Sequence, residues 1–102
     1  MAYSVLKYSI VDDEIMLVLE YYYQISETLG IRFEKEILSA FSRLILNPQH
    51  YSFIDKNSHR RINIEGFPYM LVYTIEHEVV IIKMLFPQRD DPAKVWERLL
   101  VL

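Results

Sequence analysis

Apolar positions change their spacing twice along this chain, and those changes mark out its elements. Over Tyr3–Val11, Val5, Lys7 and Ser9 alternate with Leu6, Tyr8 and Ile10, which predicts a strand with apolar character on both faces. Ile15, Val18, Tyr22, Ile25 and Leu29 then fall at three- and four-residue steps, the stripe of an amphipathic helix, which Met16, Leu19 and Tyr23 widen. Asp12-Asp13-Glu14 offers a candidate N-cap and acids for the positive end of that helix. Gly30 sits where a helix C-terminus favours a left-handed residue. Phe33, Ile37, Phe41 and Leu44, flanked by Leu38, Ala40 and Ile45, predict a second helix that Asn47-Pro48 ends. So short a break makes the two helices antiparallel neighbours.

After a stretch at Gln49–Ser58 without periodicity, which predicts a loop, the period becomes two. Arg61-Ile62-Asn63-Ile64-Glu65 alternates with Ile62 and Ile64 facing inward, and Gly66-Phe67-Pro68 breaks the run. Tyr69–Glu76 and Glu78–Phe86 are rich in β-branched and aromatic residues, and Glu76-His77-Glu78 between them predicts a hairpin turn. Pro87–Pro92 predicts a loop, and Ala93–Leu100 a short final helix. The order β-α-α-β-β-β plus a small C-terminal helix defines an α+β fold: an N-terminal strand, a two-helix hairpin and a three-stranded antiparallel run. The helix pair should cover one face of the sheet, with Tyr22, Ile25, Phe41 and Leu44 packed between the layers.

Composition narrows the function. A chain of 102 residues has room for one domain, spanning 1–102. The net charge of −3 argues against coating nucleic acid by bulk electrostatics, although positive residues gather in Lys56–Arg61 while acids collect in Asp12–Glu14 and Glu34–Glu36. With no cysteine, disulfides and thiolate zinc sites are excluded. Apolar runs such as Val79–Ile82 are far shorter than the roughly 18 residues of a membrane span, and no signal peptide is visible, so a cytoplasmic protein without membrane attachment is expected. His50, His59 and His77 do not pair at ligand spacing, and no Gly-rich phosphate loop or nucleophile elbow occurs, so neither metal nor cofactor is expected. Tyr21-Tyr22-Tyr23 suits packing better than base stacking, because Tyr22 lies on the buried stripe and its neighbours flank it by about 100°. For Arg60 and Arg61 a solvated strand position and a functional role stand about level. Arg89 beside Asp90 and Asp91 fits either a local ion pair or a functional cation, and Trp96 with Leu99 and Leu100 either closes the core or forms a docking patch.

The second half of the chain carries a resemblance. His59-Arg60-Arg61-Ile62-Asn63-Ile64-Glu65-Gly66-Phe67-Pro68-Tyr69-Met70-Leu71-Val72-Tyr73 looks like the pattern in which arginines precede a strand, followed by Phe-Pro-Tyr and a second Tyr four residues later. Arg89-Asp90-Asp91-Pro92 with Trp96 and Arg98 resembles the closing motif of the same family, and Glu20–Tyr23 and Leu46-Asn47-Pro48 fall where it has an aromatic first helix and a Pro-terminated second one. The chain thus resembles the RelE/ParE toxin superfamily of type II toxin–antitoxin and plasmid stabilisation systems, closer to ParE, over nearly its whole length.

That resemblance implies a compact sheet with two N-terminal helices on one side and a cognate antitoxin protein that lays a helical or extended segment across the surface. It implies inhibition of DNA gyrase by binding for a ParE-like toxin. The alternatives are ribosome-dependent cleavage of mRNA for a RelE-like endoribonuclease, or a non-toxic member that only binds a partner. RNA cleavage needs cations at the scissile phosphate and groups that manage protons. RelE-type strands open with Tyr-Arg where this chain has Tyr69-Met70, and Phe86 stands where the closing motif often begins with histidine. These departures favour binding over catalysis. Under the resemblance Arg60, Arg61, Tyr73 and Arg89 form the candidate functional surface, and Trp96, Leu99 and Leu100 the candidate antitoxin anchors.

Overall fold

The computed structural model describes residues 3–56, 58–89, 94, 97 and 98. Strand β1 (Ser4–Lys7) leads into helices α1 (Ser9–Ile25) and α2 (Glu27–Leu46), and a single 3-10 turn at Pro48–His50 opens the long loop. Strands β2 (His59–Asn63), β3 (Tyr69–Glu76) and β4 (Val79–Pro87) follow. The sheet order is β1-β4-β3-β2, with β1 parallel to β4 and the other pairs antiparallel. The α+β order expected from the sequence is therefore present. The final helix expected at 93–100 lies outside the described residues except for Lys94, Glu97 and Arg98.

Five local expectations are corrected. The first strand stops at Lys7 and α1 starts at Ser9, so Ile10 and Val11 are helical and Val11 is fully buried. Tyr8, whose side chain makes no capping bond, takes the N-cap position expected of Asp12, while Asp12 accepts a 2.7 Å hydrogen bond from Lys7. Gly30 does not end α1. The break falls at Ser26, whose Oγ caps α2 by accepting from the Leu29 N–H at 3.0 Å. Gly30 lies buried within α2, where a Cβ would fall far inside van der Waals contact of the Tyr23 ring. A glycine there lets the two helices approach closely. Ile25, expected in the core, is 56% exposed at the last residue of α1, while Tyr22 one turn earlier is buried. Phe41 is half-buried rather than central, whereas Ala40 is enclosed.

The sheet has two unlike faces. Against the helices lie Ile62, Leu71, Tyr73, Val80, Ile82 and Leu85, packed with Phe33, Ile37, Ala40 and Leu44 of α2. At one end an aromatic cluster closes this layer, with the Tyr22, Phe33 and Phe67 ring centroids 4.8–5.3 Å apart. Most of these contacts are edge-on, the arrangement the ring quadrupole favours. On the opposite face Met70, Val72, Met84 and Phe86 form a second buried cluster with Ile54 against it.

A β-bulge explains how one strand serves both faces. Val72 pairs with Met84 and Tyr73 with Ile82, which leaves Lys83 unmatched. Alternation restarts after this extra residue, so Val80, Ile82 and Leu85 share the helix-covered face while Met84 and Phe86 turn to the other. Past Lys7 no strand among the described residues pairs with the β4 edge. There Glu14 of α1 accepts a hydrogen bond from the Leu85 N–H at 3.0 Å, and its second carboxylate oxygen pairs with Arg98.

Candidate functional site

The loop between α2 and β2 and the face of the sheet away from the helices hold most of the polar organisation. Pro48 ends α2, and its carbonyl accepts a 2.7 Å hydrogen bond from the Tyr73 hydroxyl. Tyr73 is fully buried, so it belongs to no exposed surface, although the resemblance places it on one. Burial pushes its phenol well above the ordinary value, although nearby Arg60 acts the other way. Arg60 is also engaged: its Nη1 donates to the carbonyls of Gln49 and Tyr51 at 3.1 and 2.7 Å, and its guanidinium lies 3.7 Å from the Phe53 ring centroid. A bridge between Phe53 and Arg60 and the bond from the Arg61 N–H to the Ser52 carbonyl hold the loop along the outer edge of β2. Arg60 therefore clamps the loop.

Residues missed in the sequence form a chain of contacts across the face away from the helices. Asp55 accepts from the backbone N–H groups of Ser58 and His59 at 2.8 and 2.9 Å and from the Ser58 hydroxyl at 2.7 Å. Its Oδ2 lies 2.9 Å from His59 Nδ1, and His59 Nε2 lies 3.4 Å from Lys83 Nζ. Partial burial would raise the Asp55 carboxyl, but the Ser58 and His59 hydrogen bonds outweigh it and hold the group well below the usual carboxylate range. The bulge lets Lys83 reach across β3 toward β2, over Thr74, which is 8% exposed and whose hydroxyl has no hydrogen-bond partner among the described residues. The available signals were the Asp-x-x-Ser-His spacing, which suits an Asx turn, and a lone lysine in an apolar run.

Arg61 projects from β2 into a cleft of about 400 Å³ lined by Arg43, His50, Tyr51, Ser52, Ile62, Asn63 and Glu65 as well. The structure thus brings Arg61 together with Arg43, which no sequence motif marked. Arg89 is exposed just beyond β4, away from this cleft's lining. Trp96, Leu99 and Leu100 lie outside the described residues. Among the described residues no group of three or more His, Asp or Glu could hold a metal ion, and no helix is long and apolar enough to cross a membrane.

The family model for the ParE toxin of type II toxin–antitoxin systems, parDE, matches residues 17–92, from α1 through the whole sheet except β1. The chain belongs to the ParE toxin family. Among solved structures, the chromosomal ParDE toxin–antitoxin system from P. aeruginosa matches with a TM-score of 0.71 at 10% identity, covering 84% of this chain and 96% of that one. The isolated E. coli RelE toxin matches at a TM-score of 0.52 and 14% identity, covering 99% of this chain and all of the other. At such identities these structures share the fold with the ParE-family chain. No curated protein matches it in sequence.

Proposed function

We propose that this ParE-family chain is the toxin of a type II toxin–antitoxin module, acts in the cytoplasm by binding DNA gyrase, and is neutralised by a cognate antitoxin. Family membership supports the module and the antitoxin. Met70 carries the choice of a binding mode: this residue, next to Tyr69 at the start of β3, is 6% exposed and packed with Val72, Met84 and Phe86. A buried thioether gives a scissile phosphate no positive charge, so position 70 supplies none of the charge stabilisation that phosphate cleavage needs. Arg60 is committed to loop carbonyls and Tyr73 to the Pro48 carbonyl, which leaves Arg61 and Arg89 as the exposed arginines of the candidate surface.

Purified gyrase tests this. Its supercoiling activity should fall as the protein is added and recover with the antitoxin, while mRNA on translating ribosomes stays whole. A second reading, a RelE-like nuclease, draws on the contacts from Asp55 through His59 to Lys83, which place an imidazole between a carboxylate and an ammonium. Defined cuts in ribosome-bound mRNA that disappear in His59→Ala, with gyrase unaffected, would replace the first reading with the second. Growth unaffected by expression without antitoxin would point to a fold kept for partner binding alone.

A further inference from the structure

The cleft at the outer edge of β2 has an unusual balance of charge for a protein of net charge −3. Arg43, Arg61 and His50 line it against a single acid, Glu65. Arg43 comes from the last turn of α2, and its guanidinium is poorly satisfied. Nε reaches the Ser39 carbonyl only at 3.4 Å, and Nη2 is buried with no hydrogen-bond partner among the described residues. A buried donor on a cation is costly when left without an acceptor. Arg61 is exposed on the strand, so with Arg43 the positive charge gathers where α2 and β2 meet, beside the exposed His50 of the 3-10 turn.

The backbone beside the cleft is also unpaired. Along β2 the outward-facing groups belong to His59, whose carbonyl accepts from the Ile54 N–H, and to Arg61, whose N–H donates to Ser52. A two-residue period turns the backbone groups of Asn63 outward as well. Among the described residues, no bond outside the sheet ladder reaches them. The loop that covers the edge stops at Arg61, and the cleft opens beside the uncovered stretch.

We propose that this cleft is a carboxylate-binding site that receives an acidic side chain of the partner protein, with Arg43 and Arg61 as its cationic groups and His50 at its rim. The proposal rests on the toxin–antitoxin reading for the source of the carboxylate. An acidic protein segment suits the site better than nucleic acid. The cleft is a local recess with two arginines rather than an extended basic track, which matches one carboxylate and not a row of phosphates. Planar guanidinium groups match a carboxylate through paired N–H donors.

Two arms test the site on the full chain. In the first, NMR follows the Arg43 Nε–H and the His50 ring during titration with a capped, otherwise neutral peptide carrying one glutamate, with inorganic phosphate and with a single-stranded oligonucleotide. The peptide should shift both signals saturably, and Arg43→Gln should abolish the shift of the His50 ring. In the second, calorimetry measures the product of the adjoining antitoxin gene. Arg43→Gln and Arg61→Gln should each weaken binding about tenfold or more, and Glu65→Gln should tighten it. If Arg43→Gln does not fold, Arg61→Gln and Glu65→Gln carry the test. Antitoxin binding that is unchanged in these variants would overturn the proposal and leave the toxin reading standing. A peptide response without antitoxin association would support the carboxylate site while removing the toxin reading. No Arg43 shift with peptide, or a stronger response to the oligonucleotide, would overturn the site itself.

Discussion

The two faces of the sheet are built from the same strands and do different work. Toward the helices the packing is continuous: α2 contributes Phe33, Ile37, Ala40 and Leu44, and side chains from β2, β3 and β4 meet them. Toward the other side a small cluster of Met70, Val72, Met84 and Phe86 adjoins a polar zone containing Asp55, His59, Thr74 and Lys83. One extra residue in β4 allows both, since the bulge at Lys83 changes which face the following side chains occupy. The helix-covered face holds the larger of the two buried clusters. The other face can hold polar groups because it is not the main core.

The largest expected effect breaks the comparison from the packed side. Phe33→Ala removes a ring that touches Tyr22, Phe67 and Tyr69, and urea unfolding should show a loss of about 3–5 kcal/mol. Met84→Ala on the other face should cost about 2 kcal/mol. Equal losses would mean that the two clusters contribute alike. Between the helices, Gly30→Ala gains helix propensity of about 1 kcal/mol but drives a methyl group into the Tyr23 ring, so a net loss of about 1–3 kcal/mol is expected. Adding Tyr23→Ala should return the propensity gain if close helix approach is the reason for the glycine.

Tyr73→Phe probes the link between the core and the loop. It leaves the Pro48 carbonyl without its buried donor, and thermal or urea unfolding should register about 1–2 kcal/mol. The smallest effect is a dependence on pH. Asp55 is held below its ordinary value, so its stabilising contribution is complete above about pH 4, the unfolded carboxylate range. As pH falls below that value the unfolded chain takes up a proton that the folded chain resists, and the contribution is lost. The melting temperature of the native chain should therefore fall more between pH 5 and 2, as a rough window, than that of Asp55→Asn. Parallel curves would show that the carboxylate contributes little beyond its turn.

The order of elements could be read in the chain because each rests on local periodicity. Phe33, Ile37 and Leu44 share one side of a 3.6-residue helix, and Ile62 and Ile64 share one side of a two-residue strand, whatever the rest of the fold does. Asn47-Pro48 ended α2 as expected, because proline restricts the residue before it. The resemblance that named the family lay in short motifs along the same elements. Gly30 was misread because a glycine that ends a helix and a glycine that lets another helix approach look the same in sequence. Ser26, an ordinary N-cap residue, carried the competing signal.

The site needed three dimensions. Arg60 and Arg61 are adjacent in the chain, yet strand alternation sends one to the loop carbonyls and the other into the cleft. Arg43 reaches that cleft from a helix, His50 from a turn and Glu65 from beyond the end of β2, and no local pattern joins them. Asp55 and His59 meet in a local turn, but Lys83 reaches them across β3 from the unmatched position of the β4 bulge. Hydrophobic periodicity by itself determined which segments become helix or strand, since burial of one face is a local requirement repeated along the chain. Tertiary structure decided which charges share a cleft and which are spent on backbone carbonyls, because those outcomes depend on strand order and register, and on a single unmatched residue.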